Sequence, residues 1–223
     1  MEKMFLSNKL FLSGFVLFAL IIFSLIILVE ASTAMWSSTY GGIDNDLSYA
    51  LVENSDGGYA LAGTTYSFGA DANDFCLVKT DASGNLQWNK TYGGTEGEWA
   101  YALVENSDGG YALAGFTYSL GAGEGDFWLI KTDASGNLQW NKTYGGTEVD
   151  AASSLVETSD GGYALAGITG SFSFGANDFW LVKTDEHGFI PEFPSWIILP
   201  LFLIATIVVT VYKMKLTKSS RIH

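Results

Sequence analysis

Carboxylates are the one class of reactive side chain that this sequence supplies in quantity, and they return at a fixed interval. Glu53, Glu105 and Glu157 stand 52 residues apart, and so do Asp81, Asp133 and Asp185. Two carboxylates flanking a sugar suffice for glycoside hydrolysis, so hydrolysis of an extracellular polysaccharide is one reading. A residue that reappears unchanged at every period is explained more simply by a structural task done once per repeat. Nucleophilic catalysis needs a nucleophile, a base and an orienting group. Residues 35–195 hold a single histidine, His187, in the turn-forming run Asp185-Glu186-His187-Gly188, with no evident partner. The expectation is a chain with no catalytic residue, no cofactor and no metal centre. Cys76 is the only cysteine, so no intrachain disulfide forms, and it takes the place that Trp128 and Trp180 fill in the other copies. That equivalence marks it as a packing residue and not a redox thiol.

Binding is better sought where the copies differ. The differences concentrate in residues 43–48 against 95–100 and 147–152, and in 68–73 against 120–125. Variable loops on a regular scaffold are where ligands are commonly taken. Asp44-Asn45-Asp46 and Asp71-Ala72-Asn73-Asp74 gather oxygen ligands suited to calcium, although neither has EF-hand spacing. Trp99 and the repeated tyrosines either stack on sugars or pack between sheets. Asn89-Lys90-Thr91 and Asn141-Lys142-Thr143 are N-glycosylation sequons, at Asn89 and Asn141, produced by one duplicated segment.

The repeat itself sets the architecture. Thr39-Tyr40-Gly41-Gly42 returns at residues 91–94 and 143–146, and 39 of the 52 positions are identical between the first two copies. Such a unit cannot bury its apolar face alone and stacks on its neighbours. In the second copy, strands are expected over residues 101–105, 111–117, 126–132 and 138–144. They are separated by the turn-forming runs Asn106-Ser107-Asp108-Gly109-Gly110 and Asp133-Ala134-Ser135-Gly136-Asn137 and by a Gly-rich loop. Phe127-Trp128-Leu129-Ile130 is continuously apolar, which predicts a strand buried on both faces. Ala112, Ala114 and Gly115 are small, as suits a strand near a propeller axis. The fold class expected is all-β and β-propeller-like, with three four-stranded blades, an N-terminal signal or anchor helix and a C-terminal transmembrane helix. A stacked β-solenoid is the other candidate, although its coils are usually shorter.

The run Asp-Phe-Trp-Leu-x-Lys-Thr-Asp-x-x-Gly-Asn-x-x-Trp, seen from Asp126 to Trp140, resembles the surface β-propeller repeats of exported archaeal and bacterial proteins. Its Asp-x-x-Gly turn followed by Trp is similar to quinoprotein-type blades. The resemblance covers residues 36–190 and implies a fold, since propellers host many unrelated functions.

The blade repeats run over residues 39–90, 91–142 and 143–190, with 36–40 expected as a closing strand. The domain thus opens on a lone fourth strand and stops after a third one. The two ends either meet within one chain or pair between two chains. Two chains joined head to tail would form a homodimeric ring of six blades. A compact three-bladed monomer, an open arc and a remnant of a longer array are the alternatives.

Outside 35–190 the chain reads as a targeting and anchoring frame. Residues 1–34 form a signal peptide or signal anchor, with Lys3 and Lys9 before an apolar run and Ser32-Thr33-Ala34 at the cleavage position. Residues 191–195 are a linker. Residues 196–212 carry no charge and would span roughly 25 Å as a helix. The tail 213–223 holds Lys213, Lys215, Lys218 and Arg221. The positive-inside rule puts that tail in the cytoplasm and the repeats outside the cell membrane. Pro191-Glu192-Phe193-Pro194-Ser195 with the apolar and basic segments resembles the PEF-type sorting tails of archaeal surface proteins. That resemblance makes Pro191, Glu192 and Phe193 the element a membrane transpeptidase would recognise. Residues 35–195 hold five lysines and no arginine against 22 Asp and Glu, a net charge of −17. Nucleic acid is excluded as a partner by that sign. The role expected is non-catalytic binding or adhesion to a surface glycan or protein, with a structural envelope component built by blade exchange as the alternative.

Overall fold

Each copy folds into one antiparallel meander. A computed structural model of the chain describes residues 35–70 and 72–191. Residues 1–34, Asp71, Glu192 and Phe193 of the sorting motif, the apolar segment and the basic tail lie outside the described residues. The first sheet orders β1 (Asp46–Glu53), β2 (Tyr59–Thr65), β3 (Asp74–Thr80) and β4 (Leu86–Tyr92) in sequence. The second does the same with β5 (Glu98–Glu105), β6 (Tyr111–Thr117), β7 (Asp126–Thr132) and β8 (Leu138–Tyr144). The third has three strands, β9 (Asp150–Glu157), β10 (Tyr163–Thr169) and β11 (Asp178–Lys183), among the described residues.

The turn chemistry accounts for these boundaries. Between β5 and β6, Gly109 adopts φ 79°, a left-handed conformation that glycine reaches without steric cost. Its N–H donates to Asn106 O at 2.8 Å, and Gly110 N–H donates to Asp108 Oδ1 at 2.9 Å. The ends of β6, β7 and β8 fall where the sequence places them, whereas β5 starts three residues before Tyr101. The strand passes through a bulge between Ala100 and Ala102, which leaves Tyr101 without a cross-strand partner and breaks the alternation by which the strand would be read. Gly115 sits across from that bulge, and a Cβ there would lie 1.8 Å from Trp99 O.

Adjacent sheets pack face to face through two apolar cores. Phe75 and Leu77 of the first sheet meet Trp128 and Ile130 of the second. Phe127 and Leu129 of the second meet Leu155, Tyr163 and Val182 of the third. Phe75 lies 4.6 Å from Trp128 and Phe127 lies 4.7 Å from Trp180, between ring centroids. All seven residues of β7 are buried, as the continuous apolar run predicts for a strand covered on both faces.

Two expectations change. Ala112, Ala114 and Gly115 do not line an axis, because β6 is an inner strand of its sheet, between β5 and β7. Residues 36–40, expected as a closing strand, are taken up by none of the three sheets of their own chain. They lie on the first sheet, where Trp36 packs on Tyr59 at 5.8 Å and Tyr40 Oη donates to Gly84 O at 2.7 Å. Of the alternatives left open, closure within one chain is not seen among the described residues: Trp36 covers Gly84, while Gly188 is covered by Trp140. The stack is open, with Phe179 99% exposed on its last sheet and Leu51 62% exposed on its first.

Candidate binding site

The recurring carboxylates are used within the fold. Glu105 accepts Ser55 N–H at 2.8 Å and Ser55 Oγ at 3.0 Å, tying the second sheet to a turn of the first. Glu157 does the same for Ser107, at 2.9 Å in both bonds. Glu53 belongs to the first sheet and is exposed. Asp81, Asp133 and Asp185 each close a turn: Asp133 Oδ1, for example, accepts the N–H groups of Ser135 and Asn137 at 2.9 and 2.8 Å. Hydrogen bonds from Asn137 N–H and its amide hold the Asp133 carboxyl below the usual range. His187 is an exposed turn residue 3.8 Å from Glu186.

The oxygen-rich loops are likewise internally bonded. Asp46 accepts from Gly42 N–H and Ser67 Oγ, both at 2.8 Å, and from Thr65 Oγ1. Asn73 donates to Thr64 Oγ1 and to Glu98 O at 2.8 and 2.7 Å. Asp71 lies outside the described residues, among which no group of three or more His, Cys, Asp or Glu is placed to hold a metal ion. Burial, then the charge of Asp46, pushes the Cys76 thiol up to about 11, which disfavours the reactive thiolate. Asn89 and Asn141 are exposed on β4 and β8, and Asn141 Oδ1 accepts Trp128 Nε1–H at 3.3 Å. Pro191 is exposed in irregular backbone, with the rest of its motif outside the described residues.

Two features at the sheet junctions go beyond the sequence reading, which named Trp99 and the repeated tyrosines but not their arrangement. Asp74 and Glu98, 2% and 0% exposed, form a buried carboxyl pair between the first and second sheets. Asp126 and Asp150, 1% and 0% exposed, repeat it one step on. Asp74 Oδ1 and Asp126 Oδ1 have no hydrogen-bond donor among the described residues. Burial raises both carboxyls, and the neighbouring Glu98 and Asp150 charges push the same way. An acid at each of positions 46, 98 and 150, with Asp at 74, 126 and 178, was the available signal.

The second feature is a row of aromatic rings outside both cores. Trp99 at the start of β5 and Phe116 at the end of β6 are directly opposed across the strands and stack at 5.0 Å with 10° between planes. Tyr118 meets both edge-on, at 5.9 and 5.4 Å. The bulge aims Tyr101 at Phe116 on one side and at Tyr49, itself a bulge residue of β1, on the other, at 5.9 and 5.0 Å. Tyr49 and Tyr118 are 45% and 44% exposed, and Trp99, Tyr101 and Phe116 are half-buried. Gly97 and Gly125 make the room: a Cβ at Gly97 would meet Trp99 at 2.6 Å, and one at Gly125 would meet Tyr118 at 3.2 Å. Both glycines belong to the second copy alone, since the equivalent residues are Asn45 and Val149, and Asn73 and Asn177. The copy-variable loops do flank this row, because they join the same ends of the strands. No protein-family model matches the chain, and no curated protein is significantly similar to it.

Proposed function

We propose that the chain is a membrane-anchored β-propeller-like repeat protein, of the exported surface type, that binds neutral saccharides non-catalytically outside the cell. The observation that carries this reading is the aromatic row Tyr49, Tyr101, Phe116, Trp99 and Tyr118, whose rings are partly exposed at one end of the sheets and belong to neither core. Sugar rings offer weakly positive C–H faces that complement the negative faces of aromatic rings. Glu96 and Glu124, exposed in the flanking loops, are acceptors for sugar hydroxyls. The charge of −17 over residues 35–195 disfavours anionic polymers. Display outside the membrane rests on the leader-like N-terminus and on the apolar segment followed by basic residues.

The test is titration of the full chain, in detergent micelles, with neutral and anionic oligosaccharides, followed by tryptophan fluorescence and melting temperature. A neutral sugar should quench or shift the emission, and Trp99→Ala should weaken binding about tenfold, the equivalent of 1.4 kcal/mol. Unchanged binding in Trp99→Ala, or no binding across the panel, would defeat the reading. Release of reducing ends on incubation would favour the hydrolase instead. The alternative of a structural envelope component draws on a separate observation, the uncovered apolar faces at the two ends of the stack.

A further inference from the structure

Phe75 and Leu77 on β3 face the second sheet and are fully buried, as are Phe127 and Leu129 on β7, which face the third. Phe179 and Leu181 stand next in that series on β11 and are 99% and 72% exposed. At the other end, Leu51 is 62% exposed where Leu103 and Leu155 are 7% and 6%. Beside Leu51's sheet position, Leu47, Leu61, Gly63, Cys76 and Val78 line a hollow of about 80 Å³. Cys76 occupies there the place in which Trp128 and Trp180 each receive the phenylalanine ring of the preceding sheet.

We propose that the outer face of the third sheet docks on the outer face of the first sheet of a second copy of this chain. The contact repeats the step that joins sheets within one chain, and residues 36–40 of the second copy add the missing fourth strand to β11. The inference stands apart from the saccharide reading, since it concerns other faces of the molecule.

The occupant is a second copy because both halves of each internal contact are present at the ends without a mate among the described residues. Within the chain, Ser55 and Ser107 bond to Glu105 and Glu157 of the following sheet. Ser159 and Glu53, the next serine and the first glutamate of those series, are exposed. Asp74 and Asp126 pair with Glu98 and Asp150, whereas Asp178 is exposed and Asp46 has no acid from a preceding sheet. Residues 36–40 already hold the position of a fourth strand. Trp36 packs on Tyr59 at 5.8 Å as Trp88 packs on Tyr111 at 5.9 Å, and Tyr40 bonds Gly84 O as Tyr92 bonds Gly136 O, both at 2.7 Å. What that segment lacks is an edge to pair with, and β11 offers one. The register follows from β7 and β8, where Phe127 opposes Tyr144 and Lys131 opposes Trp140. One step further, Phe179 opposes Tyr40 of the second copy and Lys183 opposes its Trp36. Two copies make six sheets, within the usual four to eight of a closed propeller, the number at which a head-to-tail contact can close into a ring and not run on as a filament.

The experiment is the protein mass of the full chain in detergent micelles, by light scattering corrected for detergent over a range of concentrations. Two copies are expected for the native chain and one for Phe179→Asp, whose altered residue is solvent-exposed and so leaves folding intact. Alkylation of Cys76, the sole cysteine, should be slow in the native assembly and several-fold faster in Phe179→Asp. Mixing Phe179→Asp with Val78→Asp, each with one intact face, should restore a two-copy particle. A native mass of one copy at all concentrations would overturn the proposal, as would a Phe179→Asp chain that keeps two copies with Cys76 equally protected.

Discussion

Phe127 and Phe179 sit in the same local sequence, Asp-Phe-Trp-Leu, on the same strand of consecutive sheets, yet one is fully buried and the other is 99% exposed. Lys131 and Lys183 differ in the same direction, with side chains 7% and 41% exposed around the same aspartate bond. In a stack, what a residue contributes is decided by the neighbouring repeat more than by its own. The middle sheet carries the energetics, and the last sheet carries the same residues without their environment.

The sharpest way to test that contrast is to truncate both phenylalanines. Phe127→Ala should cost about 3–5 kcal/mol in chemical denaturation, since a fully buried ring is replaced by a cavity against Trp180. Phe179→Ala, measured at dilution where the chain is a single copy, should change stability by less than about 0.5 kcal/mol. Equal losses would mean that the last sheet is covered in solution by some part of the same chain.

The sequence carries the β-meander well and the stack's ends poorly. Strands β6 to β8 are legible because turn-forming runs at residues 106–110 and 133–137 and a Gly-rich loop punctuate them, and Phe127-Trp128-Leu129-Ile130 has no polar interruption. The start of β5 is not, because the bulge at Tyr101 reverses the alternation on which a strand is recognised. Whether the stack closes is invisible in a repeat, where the first and last copies look alike. The aromatic row needs the cross-strand register that brings Phe116 opposite Trp99, and nothing in their separation along the chain announces it. The copy-specific Gly97 and Gly125 were the nearest signal, and they had to be read as space for rings.

A second comparison sets two of the three lysine–aspartate bonds against each other. Lys131 Nζ donates to both Asp108 oxygens at 2.8 Å and to Thr132 O at 3.1 Å. Burial opposes ionisation of Asp108, but the hydrogen bonds from Lys131 and Gly110 N–H prevail and hold its carboxyl below the usual range. A depressed folded value contributes stability above the unfolded pKa and loses it as pH falls through the folded value. Asp108→Asn should therefore cost about 1–2 kcal/mol at neutral pH by leaving a buried ammonium poorly paired, and the loss should shrink in acid. Thr158, Lys183 and Gly162 N–H hold Asp160 low as well, but in solvent, so Asp160→Asn should cost less than Asp108→Asn.

The buried carboxyl pairs reverse that sign. Burial, reinforced by Glu98, raises Asp74, so the folded chain keeps this proton to higher pH than the unfolded one. Its contribution is complete below the unfolded pKa and is lost as pH rises through the folded value. Asp74→Asn retains an acceptor for Ala70 N–H and offers an amide donor where Oδ1 had none. It should raise stability at pH 7 by about 1 kcal/mol and flatten the decline that sets in as pH rises above the ordinary carboxylate range, read as melting temperature against pH. Asp178→Asn on the uncovered third sheet should do neither in a single copy. A destabilised Asp74→Asn would instead mean that the pair depends on its charge, as a bound cation would require.

The smallest effect distinguishes a serine tie that is made from one that is waiting. Glu157 accepts Ser107 N–H and Oγ, yet the group is partly solvated, so Glu157→Gln keeps one acceptor and should cost about 0.5 kcal/mol. Glu53→Gln should cost nothing in a single copy, because the first sheet has no preceding serine to hold. Where two copies associate, Glu53 would reach Ser159 of the second chain, and its substitution should then lower the concentration-dependent part of the melting temperature alone. A cost for Glu53→Gln that is independent of concentration would show that this glutamate already serves the first sheet, and the equivalence of the two ends would fail at that position.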